Sequence, residues 1–129
     1  MIESEKVYRI KKILEDIENR QTTKRYKIIT VDFDGCLVEN NFPKIGKAIP
    51  ETIKALKTEI SNGAKIILWT CRKDEHLKSA TQWCEKQGIK LDAINNNLPE
   101  MIKYFGGDTR KIYADEYWDD KAVRMPKNT

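Results

Sequence analysis

The chain has 129 residues, of which 40% are apolar and 34% charged, with a formal net charge of +4. This suits one domain around one core and the composition of a soluble globular protein. It leaves no apolar run near the roughly 20 residues that a bilayer-spanning helix needs, and Met1 to Lys12 reads as too polar for a secretory leader.

Three cysteines, Cys36, Cys71 and Cys84, form no C-x-x-C pair, so reduced thiols in a cytoplasmic protein are the expectation. With His76 the sole histidine, no zinc-ligand spacing is present. The positive charge gathers near the ends, at Lys24, Arg25 and Lys27 and again at Lys121, Arg124 and Lys127. Solvated flanks account for it; attraction to an anionic substrate is the functional alternative. No aromatic residues interleave these charges in a stacking pattern.

Val7, Ile10, Ile13, Leu14 and Ile17 fall at helical spacing among Lys, Glu and Asp, which predicts an amphipathic helix over about 4–20. Covering one face of a sheet is the plain reading of its apolar stripe; forming an oligomer or binding a partner is the other. Residues 21–25 make a polar joint, so residues 1–25 read as a helical extension and 26–129 as the domain proper. A strand is predicted over 26–32, then a loop over 39–48 containing Pro43 and Gly46. Pro50 suits a helix first turn, with Ile53, Leu56 and Ile60 as the apolar face and Asn62-Gly63 as the stop. A second apolar strand covers 64–69. A helix starts at Asp74, with Leu77, Ala80, Thr81 and Cys84 on one face and Gly88 past its end. A third strand is expected over 89–94, a short helix over 99–105 ended by Gly106-Gly107, and a last strand over 111–118.

Strands alternating with helices predict an α/β fold: a Rossmann-like three-layer sandwich with a mainly parallel sheet and right-handed crossovers. Unbroken apolar strands match burial on both faces. Parallel strands share a direction, so their carboxyl ends open on one edge, where α/β folds take ligands. The first strand runs into Asp32-Phe33-Asp34-Gly35. Period-two geometry sends Asp32 and Asp34 to one side, and two such carboxylates need a cation or a shared proton. Gly35 lets the backbone turn sharply behind them. The second strand ends in Thr70 and the last in Asp119-Asp120.

DFDGCLV, then ILWT, then a lysine, then YWDD, spread over 27–120, resembles the haloacid dehalogenase superfamily of phosphotransferases, and most closely its small phosphatase-like members without a cap domain. The resemblance implies a Mg²⁺-dependent phosphomonoesterase. Asp32 would be the nucleophile that forms an aspartyl-phosphate and also a metal ligand. Asp34 would be general acid and base, and would also meet the metal. Asp119 and Asp120 would complete the oxygen ligands that Mg²⁺ prefers, and Thr70 would hold a phosphate oxygen. Cys36 stands where the family often has Thr. The family's phosphate-binding lysine has no counterpart at Asn95-Asn96-Asn97, and Lys111 is the expected substitute, with Lys103 second. Arg72 reads either as a substrate contact or as a surface arginine. The dozen residues after Glu39 are too few for a cap. An open site suits a phosphorylated small molecule, a nucleic-acid end or a phosphoprotein.

Two other readings share the fold. A receiver-like phosphoacceptor module also clusters acids with a Thr and a Lys, but needs an acceptor acid on its middle strand, and the strand from Ala64 ends without one. A non-catalytic phosphate- or metal-binding module is the other, opposed by the intact acids.

Overall fold

The computed structural model describes residues 2–23 and 26–126, with the side chains of the first helix described over 4–15. The elements are α1 (Ile2–Thr23), β1 (Ile28–Val31), α2 (Pro50–Ser61), β2 (Lys65–Leu68), α3 (Asp74–Lys86), β3 (Ala93–Ile94), α4 (Pro99–Phe105) and β4 (Glu116–Trp118). All four strands are parallel, in the order β3-β2-β1-β4. The expected α/β sandwich is therefore present.

The two faces of the sheet bury different helices. Ile29, Val31, Ile66 and Leu68 pack with Leu56 of α2 and with Ala80 and Cys84 of α3. Ile28 and Ile67 pack with Leu98, Met101 of α4 and Ile112. Alternate residues of one strand thus serve opposite layers, as the period of two requires. The chain moves from β1 outward to β2 and β3, then returns past β1 to β4. The order reverses between β1 and β4, and the carboxyl ends flanking such a reversal form a natural crevice.

Polar side chains pin the amino-terminal ends of the strands. The Ile28 amide donates to Asp115 Oδ2 at 2.8 Å, and the Ile66 amide donates to Asp92 Oδ2 at 2.8 Å. Tyr26, Lys65 and Glu100 form a further cluster there: the tyrosine hydroxyl donates to Glu100, and Lys65 Nζ reaches the same carboxylate at 2.9 Å.

Three expectations change. The third strand shrinks to Ala93–Ile94, because Ile89 is still tied to the end of α3 through its amide and the Cys84 carbonyl. The last strand shrinks to Glu116–Trp118. Its first half turns aside: Asn97 Oδ1 accepts from the Tyr113 amide at 2.8 Å, and the Tyr117 hydroxyl donates to the Ile112 carbonyl at 2.5 Å. The apolar stripe of α1 does not cover the sheet, since Val7, Ile10, Ile13 and Leu14 are all about half exposed. The side chain of Ile17 and residues 24–25 lie outside the described residues.

Burial sets the expected cost of truncation. Ile67→Ala, at a fully buried position, should lower unfolding free energy by about 3 kcal/mol. Ile13→Ala on α1 should change it by no more than about 0.5 kcal/mol. Urea denaturation of both variants checks this, and an equal loss at Ile13 would mean that α1 belongs to the core.

Candidate active site

A cleft of about 660 Å³ opens at the carboxyl edge of the sheet, lined in part by Asp32, Asp34, Thr70, Arg72, Asp119, Asp120 and Lys121. The parallel register creates it. Val31 lies beside Leu68 on one flank and Trp118 on the other, so the residues just past β1, β2 and β4 emerge together. The Asp32 amide donates to the Trp118 carbonyl at 2.9 Å and the Trp69 amide to the Val31 carbonyl at 3.0 Å, extending the ladder into the site.

Carboxylate oxygens of Asp32, Asp119 and Asp120 lie within 4.8 Å of one another. Asp32 is half-buried, whereas Asp119 and Asp120 are exposed. One Asp32 oxygen accepts from the Phe33 amide at 2.8 Å. Burial pushes the Asp32 carboxyl up to about 6, against that hydrogen bond, and the charges of Asp119, Asp120 and Asp34 push the same way. The close approach of Asp120 depends on Gly35. Its φ is 88°, and a Cβ there would stand 2.3 Å from Asp120 Oδ2. Cys36 Sγ donates to the Trp118 carbonyl at 3.5 Å, which ties the turn after β1 to β4. Burial, then the charges of Asp32, Asp120 and Asp119, raises this thiol to about 11.

Asp34 lines the same cleft but its carboxylate stands apart from that trio. Both its oxygens accept from Arg72, at 2.7 Å from Nε and 2.8 Å from Nη2. Arg72 is only 3% exposed. Its remaining donors go to the carbonyls of Lys44 (2.9 Å), Pro43 (3.2 Å) and His76 (3.5 Å), and its Cζ lies about equally far from the rings of Phe33 and Phe42, 5.0 and 5.1 Å away. This buried fork is no surface arginine, and each of its side-chain nitrogens already has a partner. It clamps the acid loop, the 39–48 loop and the start of α3 to one another. Gly46 lets the 39–48 loop close, since a Cβ there would meet the Glu39 carbonyl.

Thr70 Oγ1 accepts from the Arg72 amide at 3.1 Å, which leaves its proton to donate into the cleft. The Thr70 amide donates to Asn95 Oδ1 at 2.8 Å. Lys111 is not among the residues that line the cleft; its Nζ lies 6.0 Å from the ring of Tyr117, which stands against the cleft-lining Trp69. Lys103 sits on α4 and is not among the residues that line the cleft. Among the described residues the lysine that lines the cleft is Lys121, two positions beyond Asp119, whose carboxylate accepts from its amide at 3.0 Å. In the sequence Lys121 reads as part of a charged flank. Its proximity to the acidic pair was the available signal.

The donor set can hold a hard cation. Four carboxylates against Arg72 and Lys121 leave the cleft two charges negative when all are ionised, and clustered carboxylate oxygens suit Mg²⁺ or a similar ion.

Two outcomes follow from this electrostatic arrangement. A carboxyl whose folded pKa is raised binds protons more readily folded than unfolded, so its ionisation destabilises the fold. For Asp32 that cost is absent below about pH 4 and complete above about pH 6. In EDTA at pH 7.5, Asp32→Asn should therefore melt a few degrees higher than the wild type, with the gain vanishing near pH 4. A gain independent of pH would contradict this origin. Arg72→Ala strands a part-buried carboxylate partner and three carbonyls, and should cost about 3 kcal/mol in urea denaturation, with Arg72→Lys losing less. An unchanged midpoint in Arg72→Ala would refute the clamp.

Comparison with known proteins places the chain. No family model matches it and no curated protein does. A solved structure, described as that of a conserved protein coded by a locus from Bacteroides thetaiotaomicron, is 37% identical, with a TM-score of 0.68, over 79% of this chain and 83% of that one. With identity at that level over most of both chains, this chain belongs to the same family as the conserved Bacteroides thetaiotaomicron protein.

Proposed function

We propose that this chain is a Mg²⁺-dependent phosphomonoesterase of haloacid dehalogenase type, working through an aspartyl-phosphate on Asp32. The observation that carries the reading is the convergence of Asp32, Asp119 and Asp120 within 4.8 Å beside an independently held Asp34.

In this reading Asp32, Asp119 and Asp120 hold the metal, with Asp32 also the nucleophile. Bound Mg²⁺ supplies positive charge and oxygen coordination next to the phosphoryl group. The free Asp32 oxygen attacks phosphorus and the bond to the ester oxygen breaks, while Asp34, protonated from solvent and released from part of its contact with Arg72, gives that oxygen its proton. The guanidinium of Arg72 meets the carboxylate so formed. Asp34 then takes a proton from water as water attacks the aspartyl-phosphate, which frees phosphate and restores Asp32. The Thr70 hydroxyl and Lys121 provide donors for the non-bridging oxygens. Arg72 acts through Asp34 as a positioning residue: its bidentate grip fixes where the acid points.

Release of phosphate from p-nitrophenyl phosphate tests the reading. Turnover is expected with Mg²⁺ and not with EDTA, and Asp32→Asn should lower kcat by about 10³-fold or more with the fold intact by circular dichroism. Undiminished turnover in that variant would remove Asp32 from the nucleophile role.

A further inference from the structure

Two aromatic rings line the cleft without a task in phosphoryl transfer. Trp69 is 39% exposed and Phe42 54% exposed, and both border the space that holds the acids. They come from different segments: Trp69 directly follows β2, and Phe42 belongs to the 39–48 loop. Each is braced by neighbours. The Trp69 ring lies 5.9 Å from the Tyr117 ring. Phe42 meets His76 edge-on at 5.2 Å and has the Arg72 guanidinium 5.1 Å from its centroid. Other exposed aromatics do not share this setting, since Phe105 and Tyr113 stand against each other 5.9 Å apart and do not line the cleft.

Phosphate, metal and water require no aromatic wall. A flat ring system gains both apolar burial and stacking. The wall also carries Asn40. Its side-chain oxygen accepts from the Phe42 amide at 3.4 Å, and its NH₂ group offers donors for the edge of a heterocycle.

Resting on the phosphomonoesterase reading, we propose that the cleft selects nucleotide-like phosphomonoesters, with Trp69 and Phe42 stacking on the planar base while the phosphate sits at the acids. The two rings are specificity-determining residues. They are not catalytic.

The test pairs adenosine 5′-monophosphate with ribose 5-phosphate, which differ by the base. With Mg²⁺ the wild type should prefer the nucleotide in kcat/KM by about tenfold or more, the size of one base stacked on an aromatic side chain. Trp69→Ala should bring that ratio down to about twofold and Trp69→Phe should keep most of it, because the stacking face survives. Phe42→Ala should give an intermediate ratio. Equal kcat/KM for the two esters in the wild type overturns the ring assignment and leaves the phosphatase reading standing. If neither ester releases phosphate while p-nitrophenyl phosphate does, the ring assignment falls and the phosphatase reading stands; if p-nitrophenyl phosphate is not hydrolysed either, the phosphatase reading falls and calorimetry with the same pair decides the ring. Nucleotide bound about tenfold tighter, with the margin lost in Trp69→Ala, supports it. Equal affinities, or no binding, overturn it. A 5′-phosphorylated trinucleotide separates the two sources of the base. Preference over ribose 5-phosphate in either form supports stacking, and the better of the two identifies a free nucleotide or a strand end as the source.

Discussion

Carboxylates forced together at one edge of a sheet repel, and the architecture around the cleft answers that repulsion. Asp32, Asp119 and Asp120 approach because β1 and β4 are parallel neighbours whose ends emerge side by side. Gly35 gives Asp120 room that any side chain would fill, and Cys36 ties the turn to the Trp118 carbonyl. Burial of Asp32 raises the cost of its charge. A fold that keeps such an arrangement gives up stability in the metal-free protein, and a bound divalent cation would return it.

Arg72 answers the remaining acid in a different way. With its fork on Asp34 and its other donors on the Pro43, Lys44 and His76 carbonyls, it separates one carboxylate from the other three without removing it from the cleft. The two kinds of carboxylate therefore sit in different environments. The same guanidinium braces Phe42, so the loop that would meet a substrate's distal portion and the acid that would serve its scissile bond share one anchor.

Asp32, Asp34, Thr70, Asp119 and Asp120 were legible in the sequence because each follows an apolar strand, and parallel strands bring their ends to one edge. The helices over 50–61 and 99–105 were legible from proline starts and glycine stops, and the helix over 74–86 from its apolar face and Gly88. The counter-charges were not. Arg72 has the local surroundings of a loop residue, and its burial depends on Asp34, 38 positions away. Lys111 was expected at the edge on the assumption that a loop entering the last strand would carry it there. In fact Asn97 and Tyr117 hold residues 112–113 out of the ladder, and the cleft takes Lys121 instead. The α1 stripe carries the helical period of a buried face, yet periodicity does not say what covers it, and Val7, Ile10, Ile13 and Leu14 remain exposed.

The central claim is that Asp32 carries phosphorus during turnover. Rapid acid quench of the protein with p-nitrophenyl phosphate and Mg²⁺, followed by borohydride reduction and peptide mass spectrometry, tests it most directly. An acyl phosphate is reduced by borohydride to an alcohol, whereas a free carboxylate is not. The account predicts homoserine in place of aspartate at position 32, dependent on both substrate and Mg²⁺ and absent in the Asp32→Asn variant. Reduction at another acid, or phosphate release with no reduced residue 32 under conditions of single turnover, would contradict it.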